Sequence, residues 1–118
     1  MYRWVLLEHI ISKHSLYEVH FDFLVENGSE CLSWKIYEIP KLNGPLIEIL
    51  LQPNHRLEWL TTESKILSGD RGYVKRIDYG KYSIIESNLT KNNFDLKLKG
   101  NLLAGTLSKK GDLCNLYD

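Results

Sequence analysis

The chain is poor in the residues that cross-link or interrupt a fold. Of its 118 residues two are cysteine, three are proline and one is methionine. Cys31 and Cys114 stand far apart with no CxxC pair, which excludes a disulfide framework and a structural zinc knot, and reduced thiols are expected. An excess of charge of either sign is also missing. Fifteen Lys plus Arg balance fifteen Asp plus Glu, so no global basic field draws the protein to nucleic acid, and any such contact must use a local patch. No apolar run approaches the roughly 18 to 20 residues that span a bilayer, and Trp4–Leu7 is too short for a signal-peptide core. A cytoplasmic protein without membrane contact is therefore expected. A Walker-type glycine loop, GxGxxG, HExxH and GxSxG are all lacking, which disfavours nucleotide hydrolases and serine esterases.

What is present reads as strands. The composition, 43% hydrophobic and 25% charged, fits one domain over residues 1–118. In Val19–Glu26 the residues Val19, Phe21, Phe23 and Val25 share one strand face while His20, Asp22 and Glu26 share the other, since side chains alternate at period two. Asn27-Gly28-Ser29 is a turn signal, and Cys31–Tyr37 is the expected return strand. A strand over Leu46–Leu51 should end at Gln52-Pro53-Asn54. A second hairpin is expected from Tyr73–Ile77 across Asp78-Tyr79-Gly80 into Lys81–Glu86. A third is expected from Phe94, Leu96 and Leu98 across Gly100-Asn101 into Leu102–Leu107. Glu58–Leu67 allows a helical turn or two with Thr61 or Thr62 as N-cap. The sum predicts an all-β fold, a small closed or partly open β-barrel with short helical turns, because closure removes exposed strand edges.

Chemistry concentrates near the N-terminus. Of the histidines at positions 9, 14, 20 and 55, three fall within twelve residues beside Asp22. His20 and Asp22, two apart on a strand, have Cα atoms roughly 7 Å apart and side chains on one side. Imidazole nitrogens and a carboxylate on one face of a divalent cation leave positions open for water and substrate, which suits Mn²⁺, Fe²⁺ or Zn²⁺. The same residues fit a solvated strand face.

The runs His20-Phe21-Asp22-Phe23-Leu24-Val25-Glu26 and Cys31-Leu32-Ser33-Trp34 resemble the H-x-D … L-x-[ST]-W signature of the 3′-phosphoesterase domain of bacterial DNA ligase D. Asn54-His55-Arg56-Leu57 is similar to that family's Asp-His-x-Leu segment. Ser68-Gly69-Asp70-Arg71-Gly72 through Gly80 is similar to a stretch of its short standalone branch, and Phe94–Gly105 resembles its closing hairpin. The resemblance implies a β-barrel that binds Mn²⁺, with Zn²⁺ or another divalent transition metal as alternatives. It also implies trimming of DNA 3′ ends in end-joining repair, by removal of a 3′-phosphate or ribonucleotide, beside a separate ligase or polymerase. Carried over residue by residue, it makes Asp22, His55 and one upstream histidine the metal ligands, with His20 the catalytic group that contacts and protonates the phosphate. The upstream ligand is His9, at the end of a first strand beginning at Trp4, or His14, which has the family's six-residue spacing to His20. Choosing His9 requires a five-residue insertion before His20.

Two positions depart from the family. The Arg two residues after the Asp is Leu24, which removes a bidentate phosphate partner, and the Tyr four residues after the downstream His is Trp59, which keeps a face but no hydroxyl. Arg71 and Arg76 are candidate replacements for the missing cation, and Trp59 completes the substrate-binding set. A binding module that keeps the barrel and the metal without the chemistry, and a phosphoesterase for another ester, are the alternatives. Glu26 is read as a solubilising carboxylate and Trp34 as core. Lys97, Lys99, Lys109 and Lys110 are read as a solvated strand face, with DNA-backbone contact as the other reading.

Overall fold

A computed structural model describes residues 2–13, 16–69 and 71–118. His14, the alternative upstream ligand, and Asp70 lie outside the described residues. The strands are β1 (Tyr2–Lys13), β2 (Leu16–Asn27), β3 (Glu30–Ile36), β4 (Ile47–Arg56), β5 (Ser64–Ile66), β6 (Tyr73–Leu89), β7 (Asn93–Lys99), β8 (Ala104–Lys110) and β9 (Leu113–Tyr117), with one 3-10 turn, η1, at Leu57–Leu60. They form a nine-stranded antiparallel sheet in the order β1-β2-β3-β4-β9-β8-β7-β6-β5, and a further β1–β6 pairing closes the ring with β5 outside it. The all-β, partly open barrel expected from the sequence is what forms. The opening lies between β4 and β9, which pair only at Ile47↔Cys114 and Glu48↔Leu113. No helix among the described residues is long and apolar enough to cross a membrane.

Alternation sorts the side chains onto two faces, and both faces of the first strands are apolar. Trp4 and Leu6 of β1, with Phe23, Val25, Trp34, Phe94, Leu96 and Leu98, fill the barrel. Its centre is aromatic: Trp34 meets Phe94 edge-on at 4.9 Å, and Phe23 lies 6.0 Å from both Trp4 and Trp34. Each buried indole N–H has an acceptor, Trp4 on the Lys81 carbonyl at 3.0 Å and Trp34 on the Lys91 carbonyl at 2.9 Å, so both rings are core, as expected for Trp34. The opposite face carries a smaller core of Val5, Leu7, Leu24, Cys31 and Val74, roofed by Leu60 of η1. Burial pushes the Cys31 thiol up to about 11 and the Cys114 thiol up to about 12, so both free cysteines stay protonated at neutral pH.

Several local expectations are corrected. Asp78-Tyr79-Gly80 is no hairpin turn: β6 runs unbroken from Tyr73 to Leu89 and pairs with β1 through Val5↔Tyr79 and Trp4↔Gly80. Gly80 is required for close approach, since a Cβ there would collide with the Lys99 carbonyl oxygen of β7. Asp78 acts at long range, accepting from the amides of Tyr79 (2.9 Å), Asn101 (3.0 Å), Leu102 (2.8 Å) and Leu103 (2.8 Å), which shapes the β7–β8 loop. That loop extends through Leu103, so β8 starts at Ala104 and not at Leu102. Strand β4 continues past Gln52-Pro53-Asn54 to Arg56, because the register shifts between Cys31 and Ser33 of β3 and leaves Pro53 out of the pairing. Glu58–Leu67 holds only the single turn η1 followed by β5. Thr61 and Thr62 sit at its C-terminal end, where their hydroxyls donate to the Glu58 carbonyl at 3.3 and 2.9 Å. Lys109 leaves the expected basic face: it is buried, with Nζ donating to the Asn92 and Gly111 carbonyls. The ninth strand, turned at Gly111, had no counterpart in the sequence reading.

Candidate metal centre

The register of the first hairpin places the ligating side chains. β1 and β2 pair from Trp4↔Val25 outward, and this ladder sets His9 directly opposite His20 and Leu7 opposite Asp22. The stretch that looked like a loop insertion extends the ribbon instead, with Ile10–Lys13 paired to Leu16–Val19. His9, His20 and Asp22 all face away from the barrel core, continuing the smaller apolar face formed by Val5, Leu7 and Leu24.

One donor atom from each of His9, His20 and Asp22 lies within 4.8 Å of the others, a group that can hold a metal ion. His9 Nδ1 stands 3.6 Å from Asp22 Oδ2, and His20 Nε2 stands 3.3 Å from Asp22 Oδ1. Donors on one cation at bonds of about 2.1 Å and angles of about 90 to 109° are about 3.0 to 3.4 Å apart, so both edges are close to coordination spacing. The imidazoles meet edge-on with centroids 4.7 Å apart. His20 and Asp22 are 5% and 6% exposed, and among their buried atoms His20 Nδ1 and Asp22 Oδ1 have no hydrogen-bond partner. A buried carboxylate oxygen without a donor is costly unless a cation answers it. The donor set can therefore hold a metal ion.

The two imidazoles differ on their other side: His9 is hydrogen-bonded there and His20 is not. His9 Nε2 donates to the Arg71 carbonyl at 2.7 Å, leaving Nδ1 as the lone-pair nitrogen toward Asp22. His20 Nδ1 faces Glu18 Oε2 at 3.6 Å, and the Tyr37 ring stands 6.5 Å away. Glu18 was missed in the sequence, although Glu18, His20 and Asp22 share a strand face by the same alternation that singled out the last two. The Arg71 carbonyl carried no sequence signal, since a main-chain acceptor is common to every residue.

The group lines a cleft of about 980 Å³ whose walls are the end of β4, η1, β5 and the loop into β6. His55 lines this cleft outside the three-residue group, and its Nδ1 donates to the Pro53 carbonyl at 3.0 Å, which leaves Nε2 unprotonated in the neutral ring. Trp59 lines it too, with Lys65 Nζ 5.3 Å from its ring centroid. Arg71 is a lining residue whose guanidinium donates to the Ser68 carbonyl (2.9 Å) and hydroxyl (3.0 Å). Arg76 is not in the lining: its guanidinium lies 4.0 Å over the Tyr79 ring and 3.5 Å from Glu63. Leu24 is fully buried in the smaller core, where it packs and offers the cleft no polar group. Glu26 is bound to Arg3 by bonds of 2.8 and 3.1 Å, and that guanidinium holds its carboxyl down at about 2.

The chain matches no known family model and no curated protein.

Proposed function

We propose that this protein is a divalent-metal-dependent phosphoesterase acting on 3′ ends of DNA, with Mn²⁺ as its metal and Zn²⁺ as the competing choice. The observation that carries the reading is the group of His9, His20 and Asp22 at a cleft of about 980 Å³, with one buried Asp22 oxygen left without a donor. The ordered resemblance to the ligase D 3′-phosphoesterase domain supports the substrate class, removal of a 3′-phosphate or ribonucleotide.

His9 Nδ1, His20 Nε2 and Asp22 hold the cation, which when bound supplies Lewis acidity to a phosphate oxygen. This assignment exchanges the roles that the resemblance gives to His20 and His55. His20 is enclosed in the donor group, whereas His55 stands apart in the cleft with a free Nε2, suited to take a proton from the attacking water and return it to the departing 3′ oxygen. Trp59 offers the terminal sugar or base a flat face, and Arg71 at the wall offers charge to the phosphate. A metal-holding module without hydrolysis is the second reading. It is favoured by Leu24, which puts apolar packing where the resembling family has a cation.

End trimming with Mn²⁺ on a primer-template bearing a 3′-phosphate or a single 3′ ribonucleotide tests the proposal. Trimming by the wild type that is lost in Asp22→Ala and slowed about 100-fold or more in His55→Ala supports it. Metal binding without trimming on any 3′ end selects the binding module, and trimming of a different phosphate ester would reassign the substrate.

A further inference from the structure

The segment joining β5 to β6 reaches back over β1 directly beside the ligand pair. His9 Nε2 lies 2.7 Å from the carbonyl oxygen of Arg71. A carbonyl only accepts, so the neutral ring keeps its proton on Nε2 and presents a bare Nδ1 3.6 Å from Asp22 Oδ2. The segment is tied to itself on both sides of this contact: the Leu67 amide donates to the Gly72 carbonyl at 2.7 Å, and the Arg71 guanidinium holds Ser68.

Gly72 makes the approach possible. It has φ +92°, and a Cβ built there would collide with the Ile10 carbonyl oxygen and stand 3.0 Å from Ile11 Cα, the two residues that follow His9 on β1. These are main-chain atoms of a paired strand and have nowhere to move. Any other residue at position 72 must push the segment off β1, and the Arg71 carbonyl moves with it.

We infer that Gly72 and the Arg71 carbonyl are the positioning elements of the centre: they fix the tautomer and ring plane of His9 so that Nδ1 stands beside Asp22 ready to ligate. The inference rests on the metal-centre reading and adds the device that prepares one ligand. Partners that hold the second N–H of a ligating histidine are worth about 10- to 100-fold in metal affinity.

The first test needs no metal and no variant. Long-range proton–nitrogen spectra of the full chain, above about pH 8 where an ordinary imidazole of pKa about 6.5 is neutral, report each histidine's tautomer. His9 is expected as the Nε2–H form, and an Nδ1–H form overturns the inference even if no variant folds. The second test compares the wild type with Gly72→Ala, using calorimetric Mn²⁺ titration and the same spectra. Affinity about 10- to 100-fold weaker, with His9 shifted to a tautomer mixture and His55 unchanged, supports the role. A folded Gly72→Ala with wild-type affinity and an unchanged His9 tautomer overturns it. A wild type that binds no Mn²⁺ while keeping the Nε2–H tautomer refutes the metal reading and leaves the restraint on His9 in place.

Discussion

Asp22 and Asp78 are both buried, and they pair with neighbouring residues of β1, Leu7 and Leu6, yet they are wired in opposite ways. Asp78 spends both oxygens on four main-chain amides between 2.8 and 3.0 Å. Asp22 faces two imidazoles at 3.3 and 3.6 Å, and its Oδ1 has no donor. The first carboxylate is saturated and holds a loop; the second is left with open valence and faces a cleft. Burial alone does not mark a functional acid. What marks it is the unmet hydrogen-bonding capacity that burial makes costly.

The comparison breaks most readily at Asp78. Asp78→Ala removes two carboxylate oxygens that accept four charge-assisted hydrogen bonds and strands the amides of the 101–103 loop, so a loss of about 4 kcal/mol is expected in urea unfolding. A cost smaller than that of Asp22→Ala would reverse the contrast. Leu24→Arg sharpens it from the other side, because it places a guanidinium in the sealed core two residues from Asp22. A loss of about 3 kcal/mol with no gain in 3′-end trimming is expected, measured by urea midpoint and gel assay. If the variant folds normally and trims faster, the face around Asp22 accepts charge and the packing argument fails.

Asp22→Asn keeps the shape and removes the charge. Metal-free stability should change by less than about 1 kcal/mol, while Mn²⁺ affinity falls about 100-fold, equivalent to about 2.7 kcal/mol by calorimetry. Glu26 gives the smallest effect. Its folded pKa, about 2, lies below the ordinary 4.5 because of Arg3, so its contribution is complete above pH 4.5 and disappears as pH falls towards 2. Partial exposure of the pair limits that contribution to about 1 kcal/mol, and Glu26→Gln should flatten the acid limb of stability against pH by that amount.

The parts of this architecture that could be read from the sequence were those fixed by neighbours in the chain. The β2–β3 hairpin follows from its alternation and its Asn27-Gly28 turn, and Phe94, Leu96 and Leu98 mark β7. The segment over residues 78–80 misled because Asp and Gly serve turns and also serve contacts far along the chain, here with Asn101 and Lys99, and only the fold distinguishes the two uses. Pro53 misled because its tolerance depends on an irregularity in the adjoining strand. At the centre, His20 and Asp22 were legible as a period-two pair. That His9 faces His20 depends on the β1–β2 register, and that His55 stands apart from the donor group depends on where β4 carries it.

The short seam between β4 and β9 gives the ring a single weak clasp. Every other junction of the ring is a longer ladder, whereas this one rests on two residue pairs and the Ile49 amide on the Asp112 carbonyl, with Leu42 and the Asn43 amide meeting Leu116 just ahead of β4. A closed ring shares strain among its strands, and a ring with one weak link yields there first. Solvent deuterium should enter at the Ile47–Ile49 and Leu113–Cys114 amides before the β1–β2 ladder releases its own. The barrel thus breathes like a cuff along one line, and the histidine-bearing ribbon stays shut on its far side.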